Sequence, residues 1–292
     1  NTTFENVMGL EFENTRHSLM ADNLVYNNST GIMLSLIPGL PVKDANNLVI
    51  RNNVIRDNNL ANFAPASSIA ASVPPGVGLI IEAADDVVVK DNTFEGNKTV
   101  AVFVTDMYSF GLGGDSKVEP YSDNIEIHEN TWINNGNEPF GSLGDLVAMT
   151  GQSGLELLTT SKERTSCFSQ QEEFSQMGAK KWSICADKIT HPDYKTAMLD
   201  KPIKSVKYTA EQKGRLTYLA VCTGCHTYNT VLHGPSMQAI KAMYTDNLAG
   251  LKSYIENPVR KRQDFTEMPP QAYLGKETID AIAHYVLNDL KK

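Results

Sequence analysis

Short runs of β-forming residues, each opened by one asparagine and closed by another five positions later, punctuate the first half of the chain. Five copies occur. They run from Asn1 to Asn6 around Phe4, from Asn23 to Asn28 around Leu24-Val25-Tyr26, from Asn53 to Asn58 around Val54-Ile55, from Asn92 to Asn97 around Thr93-Phe94, and from Asn130 to Asn135 around Thr131-Trp132-Ile133. Three copies follow a second run at matching distance: Asn47-Leu48-Val49-Ile50, Asp86-Val87-Val88-Val89 and Asn124-Ile125-Glu126-Ile127. The opening asparagines lie 22, 30, 39 and 38 residues apart, which describes a coil of 22 residues enlarged by loops of different size. Within each run the apolar residues two apart share a face, and the asparagine at the turn tolerates left-handed backbone angles.

Strand and turn repeating together resemble the right-handed parallel β-helix of the pectate-lyase-like superfamily. That resemblance implies an all-β solenoid over residues 1–150 in which equivalent asparagines stack into a ladder and satisfy backbone groups of neighbouring coils. Because Asn1 stands inside a coil motif, an N-terminal capping element is expected to be missing, from a processed or truncated precursor. Insertions interrupt the coils at about 35–45, 59–77 and 105–122. They are apolar, rich in glycine or proline and poor in charge, so they either pack on one another or bind something.

The superfamily contains many polysaccharide lyases, hydrolases and epimerases, so carbohydrate chemistry with an electron outlet elsewhere in the chain is a second reading. No catalytic constellation stands out. Asp85-Asp86 looks like a carboxylate pair, but it aligns with Asn46-Asn47 and Asp123-Asn124 as a turn. Arg51, Arg56 and Lys90 occupy outward strand positions. His17, His128 and His191 are isolated in the sequence.

In the second half the period changes from two to that of a helix. Thr209 with Gln212 forms a capping box before Leu216, Leu219 and Ala220. Near the end, Ile279, Ile282, Ala283, Val286, Leu287 and Leu290 make one apolar stripe on a helix starting near Thr278. Between them stands Val221-Cys222-Thr223-Gly224-Cys225-His226, the pattern of a c-type haem attachment site. There Cys222 and Cys225 carry thioether bonds and His226 ligates iron. A redox pair or a zinc site is the alternative, and zinc needs a second ligand pair where only His233 and His284 follow.

Residues 203–292 resemble a class I cytochrome c. The resemblance implies a small all-α domain whose first and last helices cross, with Ile282 and Tyr285 meeting Gly214 and Tyr218. It also implies a methionine as sixth ligand. Met268, held extended by Pro269 and Pro270, suits that role, with Met237, Met243 and His233 as competitors. The Pro235 carbonyl would orient the axial imidazole. Six-coordinate iron with histidine and methionine leaves no open position, so the implied activity is electron transfer rather than catalysis.

Cys167 and Cys185 remain, and they are expected to form a disulfide closing a loop of 19 residues inside a closing and connecting segment, 151–202. Haem attachment and a disulfide both imply a periplasmic or extracellular location. No run of 18 apolar residues suits a membrane span, and the first residues lack the pattern of a signal peptide. Residues 203–292 carry +4 and the rest −12 of the total −8. Arg260-Lys261-Arg262 therefore suggests a surface for an acidic redox partner, within a respiratory assembly or outside one, rather than for nucleic acid. A glycan partner has no residue pointing to it.

Overall fold

A computed structural model describes residues 1–291 except 67, 114, 150, 152–153, 162–164, 170–173, 186–205 and 264. The chain divides into two compact units, Asn1–Ala64 with Ser72–Tyr194, and Pro65–Ala71 with Lys195–Lys292. Of the expected closing and connecting segment, 151–202, residues 186–202 with His191 lie outside the described residues.

The first unit is a solenoid of three parallel sheets, visited in the same order by each coil. Sheet A holds Thr2–Thr3, Leu24–Tyr26, Val54–Arg56, Thr93–Glu95 and Thr131–Ile133. Sheet B holds Met8–Glu13, Thr30–Ser35, Val77–Glu82, Val100–Thr105, Leu157–Thr159 and Gln176–Met177. Sheet C holds Arg16–Ala21, Asn46–Arg51, Asp85–Lys90, Ile125–His128, Cys167–Phe168 and Ser183–Ile184. Sheets A and C are the two strands of the sequence repeat.

Sheet B carries no clear alternation because its middle strands, Thr30–Ser35, Val77–Glu82 and Val100–Thr105, are covered on both faces. Ile32, Leu34, Leu79, Ile81, Val102 and Val104 fill the coil interior without exposure, each contributing about 1.5–3 kcal/mol of burial. On the other face Met33, Ile80, Phe103 and Leu158 pack with Leu143 and Val147 of helix α1, Gly141–Ala148. The repeat gave no hint of this helix.

Two asparagine ladders hold the coils in register. In the first, side-chain amides link Asn1 to Asn23, Asn23 to Asn53, Asn53 to Asn92 and Asn92 to Asn130. In the second, Asn6, Asn28, Asn58, Asn97 and Asn135 are joined the same way. From Asn53 onward in the first ladder and Asn28 onward in the second, each rung also uses its carboxamide oxygen to accept from the backbone N–H of the rung before it, as Asn92 does from Asn53 at 3.0 Å. The left-handed residue is not the ladder asparagine but the one before it: Asp22, Asn52, Asp91 and Glu129 have φ between 52° and 58° wherever Asn23, Asn53, Asn92 and Asn130 follow. The bend is made one position early, which leaves the ladder side chain directed at its neighbours. Gly31 and Gly78 lie beside the second ladder. A Cβ on either would stand within 2.4–3.0 Å of the next coil's backbone and amide.

The coils continue past residue 150, where the sequence repeat ends. Their last strands are two or three residues long, add to sheets B and C only, and lack the asparagine pair. Cys167 and Cys185 form the expected disulfide with Cα atoms 4.9 Å apart, and Cys167 faces Ser183 across sheet C. In the chain-entropy account, closing that loop contributes about 3 kcal/mol. Among the insertions, Asp115 accepts from the backbone N–H of Gly39 at 3.2 Å and from Lys43 Nζ at 2.7 Å, so the first and third pack on one another.

The second unit is helical: α2 (Ala210–Thr217), α3 (Met237–Met243), α4 (Leu248–Glu256) and α5 (Lys276–His284). Helix α2 starts at a reciprocal capping box between Thr209 and Gln212, as its sequence predicts. Single π-helical turns, Tyr218–Cys222 and Tyr285–Asp289, extend α2 and α5. The stripe on α5 buries Ile279, Ile282, Ala283, Val286 and Leu290 with Tyr218, Met237 and Leu251. Gly214 lies so close to α5 that a Cβ would be 2.2 Å from the Ala281 carbonyl oxygen and 3.0 Å from Tyr285 Cβ. The Tyr218 and Tyr285 rings stand 5.5 Å apart. Helix α4 had no separate signal in the sequence reading.

Candidate functional site

The Cys222-x-x-Cys225-His226 segment closes the π-helical turn after α2. Its bend is tied by the Cys222 carbonyl, which accepts from the N–H groups of Cys225 at 3.2 Å and His226 at 3.0 Å. The following loop then folds back, and Gly234 N–H donates to the Cys225 carbonyl at 3.0 Å. This return places Gly234 against the imidazole: a Cβ there would lie 2.3 Å from His226 Cε1 and 3.0 Å from Nε2. Only glycine leaves the ring that space.

His226 is 9% exposed, and its Nδ1 lies 2.7 Å from the Pro235 carbonyl oxygen. A carbonyl only accepts, so the proton sits on Nδ1 and the Nε2 lone pair is left for another use. Burial lowers the His226 pKa, with the Pro235 hydrogen bond opposing and His233 adding to the fall. Burial, with the neighbouring Cys225 adding to it, pushes the Cys222 thiol up to about 12. A thiol held protonated is a poor redox nucleophile. Among the described residues, no three His, Cys, Asp or Glu side chains gather to hold a metal ion.

The other expected site residues fall in the same unit. Met237 is buried in the helical core and Met243 is 62% exposed. His233 Nδ1 pairs with Ser68 Oγ at 2.7 Å. Met268 is half-buried just beyond Thr266, whose hydroxyl donates to the His233 carbonyl at 3.1 Å. Lys261 sits over the rings of Tyr244 and Tyr254, while Arg260 donates to the carbonyls of Arg262 and Gln263.

On the solenoid, Asp86 shares its backbone conformation with Asn47 and Asn124, φ 51°, 56° and 53°, so the Asp85-Asp86 pair is a turn. Asp85 accepts from the Asp123 N–H at 2.9 Å. A different carboxylate group does converge, and the sequence reading missed it. Glu11, Glu13 and Glu82 stand on the outward face of sheet B, the face that carries Met33 and Ile80. Ser35 Oγ donates to Glu11 at 3.0 Å, and the adjacent Leu36 N–H donates to Glu82 at 3.2 Å. Glu82 is fully buried, and burial is the main cause that raises its pKa to about 8; burial and Glu11 raise Glu13 to about 7. The only available signal was register: aligning Met8–Glu13, Thr30–Ser35 and Val77–Glu82 by their ends puts Glu13, Ser35 and Glu82 in one row.

The disulfide accords with an exported chain, and no helix among the described residues is long and apolar enough to cross a membrane. Comparison with curated proteins and with solved structures gives no match. The family model described as Right handed beta helix region matches residues 1–109 and 38–165, more than half of the chain and the part that holds both asparagine ladders. The chain is therefore a member of the right-handed beta helix region family.

Proposed function

We propose that the protein is an electron carrier whose helical unit holds one covalent c-type haem and whose solenoid serves as a docking scaffold. The observation that carries this reading is the His226 imidazole, lodged on Gly234 and fixed by Pro235 directly after Cys222 and Cys225. These groups suit the cofactor. Cys222 and Cys225 would hold it by thioethers, and His226 Nε2 and Met268 would ligate its iron. Bound there, it would supply one-electron chemistry.

The chain's own residues then do three things. Pro235 sets the tautomer and aim of His226, because its carbonyl accepts the Nδ1 proton. Gly234 leaves space for the ring. Pro269 and Pro270 keep the segment after Met268 from becoming helical, so a soft thioether is presented from extended backbone. The sites already taken by Met237 and His233 favour Met268 as sixth ligand. The disulfide supports an oxidising compartment, and the exposed Arg260-Lys261-Arg262 run supports an acidic redox partner, alone or within a respiratory assembly.

Intact-mass and denatured-state spectra of the chain, produced in a host that attaches c-type haem, test the reading. One haem should survive denaturation in the parent and be lost in Cys222→Ala/Cys225→Ala. Met268→Ala should keep the haem but lower the reduction potential and admit imidazole to iron. A parent free of covalent haem refutes the proposal, and an unchanged potential in Met268→Ala moves the sixth ligand elsewhere.

A further inference from the structure

We propose that the outward face of sheet B around Ser35 and Leu36 is a binding site for a small ligand bearing a primary ammonium group. The geometry begins with register. Glu13, Ser35 and Glu82 follow one another on three successive coils, and Glu11 lies beside Met33 on the same face. Coils stack about 4.8 Å apart, so the backbones of Glu13 and Glu82 are separated by roughly 10 Å, a span that two glutamate side chains can close around one cation.

The side chains do converge. Glu11 reaches to the Ser35 hydroxyl from one side, and Glu82 to the Leu36 N–H from the other. Glu82 has no exposure, and its Oε1 has no hydrogen-bond partner among the described residues. The charges acting on it are Glu11, Asp106 and Glu13, all of its own sign. None of Glu11, Glu13 and Glu82 forms an ion pair with a described lysine, arginine or histidine.

A buried carboxyl with one oxygen unused, facing two more carboxyls and no cation, lacks a positive partner with protons to give. An ammonium group offers three donors and one charge in a compact head. A directly bound metal ion fits less well, because no suitable three-residue group forms among the described residues. Access is from the Glu11 and Glu13 side, where Glu11 is exposed and Glu13 half-buried. The raised affinity of Glu13 and Glu82 for protons is the same demand expressed without a ligand. Arrival of a cation would expel a proton.

Titration calorimetry on the full chain at neutral pH tests this with ethylammonium and glucosamine as charged probes, glucose as the uncharged match and calcium chloride as the metal alone. The amines should bind with a heat that depends on buffer ionisation, while glucose and calcium should not. Glu13→Gln at the open edge and Glu82→Gln beneath it should each weaken amine binding by about tenfold or more. Circular dichroism checks that both variants are folded, and Glu13→Gln alone suffices if Glu82→Gln is not. Equal binding of glucose, binding of calcium alone, or no heat from either amine overturns the proposal, as does amine binding that ignores Glu13.

Discussion

The solenoid and the helical unit are built on opposite principles. In the solenoid each instruction is repeated: five rungs in each asparagine ladder and rows of equivalent apolar residues, so that one coil supports the next. In the helical unit each contact is made once, as Gly214 against Ala281 or Gly234 against His226, and nothing duplicates it. Repetition makes a fold tolerant and easy to recognise. Single contacts make a site specific, because moving one backbone atom changes the position of one particular side chain.

The difference can be broken most severely at Gly214. Ala at this position puts a methyl 2.2 Å from the Ala281 carbonyl oxygen, inside any acceptable contact, so the helices must separate. We expect a loss of about 3 kcal/mol, the upper range for overpacking. Hydrogen exchange read by mass spectrometry should show it in peptides from 210–222 and 276–289, with peptides carrying the ladders unchanged. Unaltered protection of both helices would mean that the crossing does not depend on this glycine.

A smaller effect is expected from Asn92→Ala, although this asparagine makes more hydrogen bonds than any contact Gly214 protects. It donates to the Ile50 and Lys90 carbonyls and to Asn130, and accepts from Asn53. Removing it strands buried donors and acceptors at a cost of about 2 kcal/mol, but the rungs above and below retain the register. Thermal unfolding should record the loss, and exchange should rise in the two adjoining coils only. A spread of exchange through all the coils would show that the ladder is a cooperative column rather than a set of rungs.

The mildest change sharpens the comparison within the solenoid itself. Glu82 is the one buried carboxyl in its row, with a pKa pushed by burial from about 4.5 to about 8. Between those values the folded chain keeps a proton that the unfolded chain has released, so stability falls as pH rises from about 4.5 to 8. Glu82→Gln removes that dependence: the variant should match the parent near pH 4 and be the more stable of the two at pH 8. Denaturant midpoints at the two pH values measure it. A parent that gains stability on going to pH 8 would show that Glu82 is charged and paired in the folded chain. Asp115 works in the opposite direction: burial would raise its pKa, but Lys43 and the N–H groups of Lys117 and Gly39 outweigh it and hold the carboxyl near 2, so its contribution disappears only in strong acid.

Read as residues alone, the chain declares its coils, its ladder positions, the capping box at Thr209, the stripe on α5 and the pairing of Cys167 with Cys185. These are local signals, carried by residue type at a fixed spacing, and backbone geometry converts spacing into position without further help. The Cys222-Thr223-Gly224-Cys225-His226 pattern belongs with them, since adjacency along the chain is enough to bring its groups together. What only the tertiary structure decided is whatever depends on distance in sequence: sheet B and its cover by α1, the last coils that lack asparagines, the tie between Asp115 and Lys43, the residue before each ladder asparagine taking the left-handed turn, and the meeting of Glu11 and Glu82 over Ser35 and Leu36. Glu11 and Glu82 are 71 residues apart. A loop of variable length stands between successive coils, so no spacing in the sequence could announce their contact; it exists because parallel strands of neighbouring coils come into register, and register is a property of the folded stack.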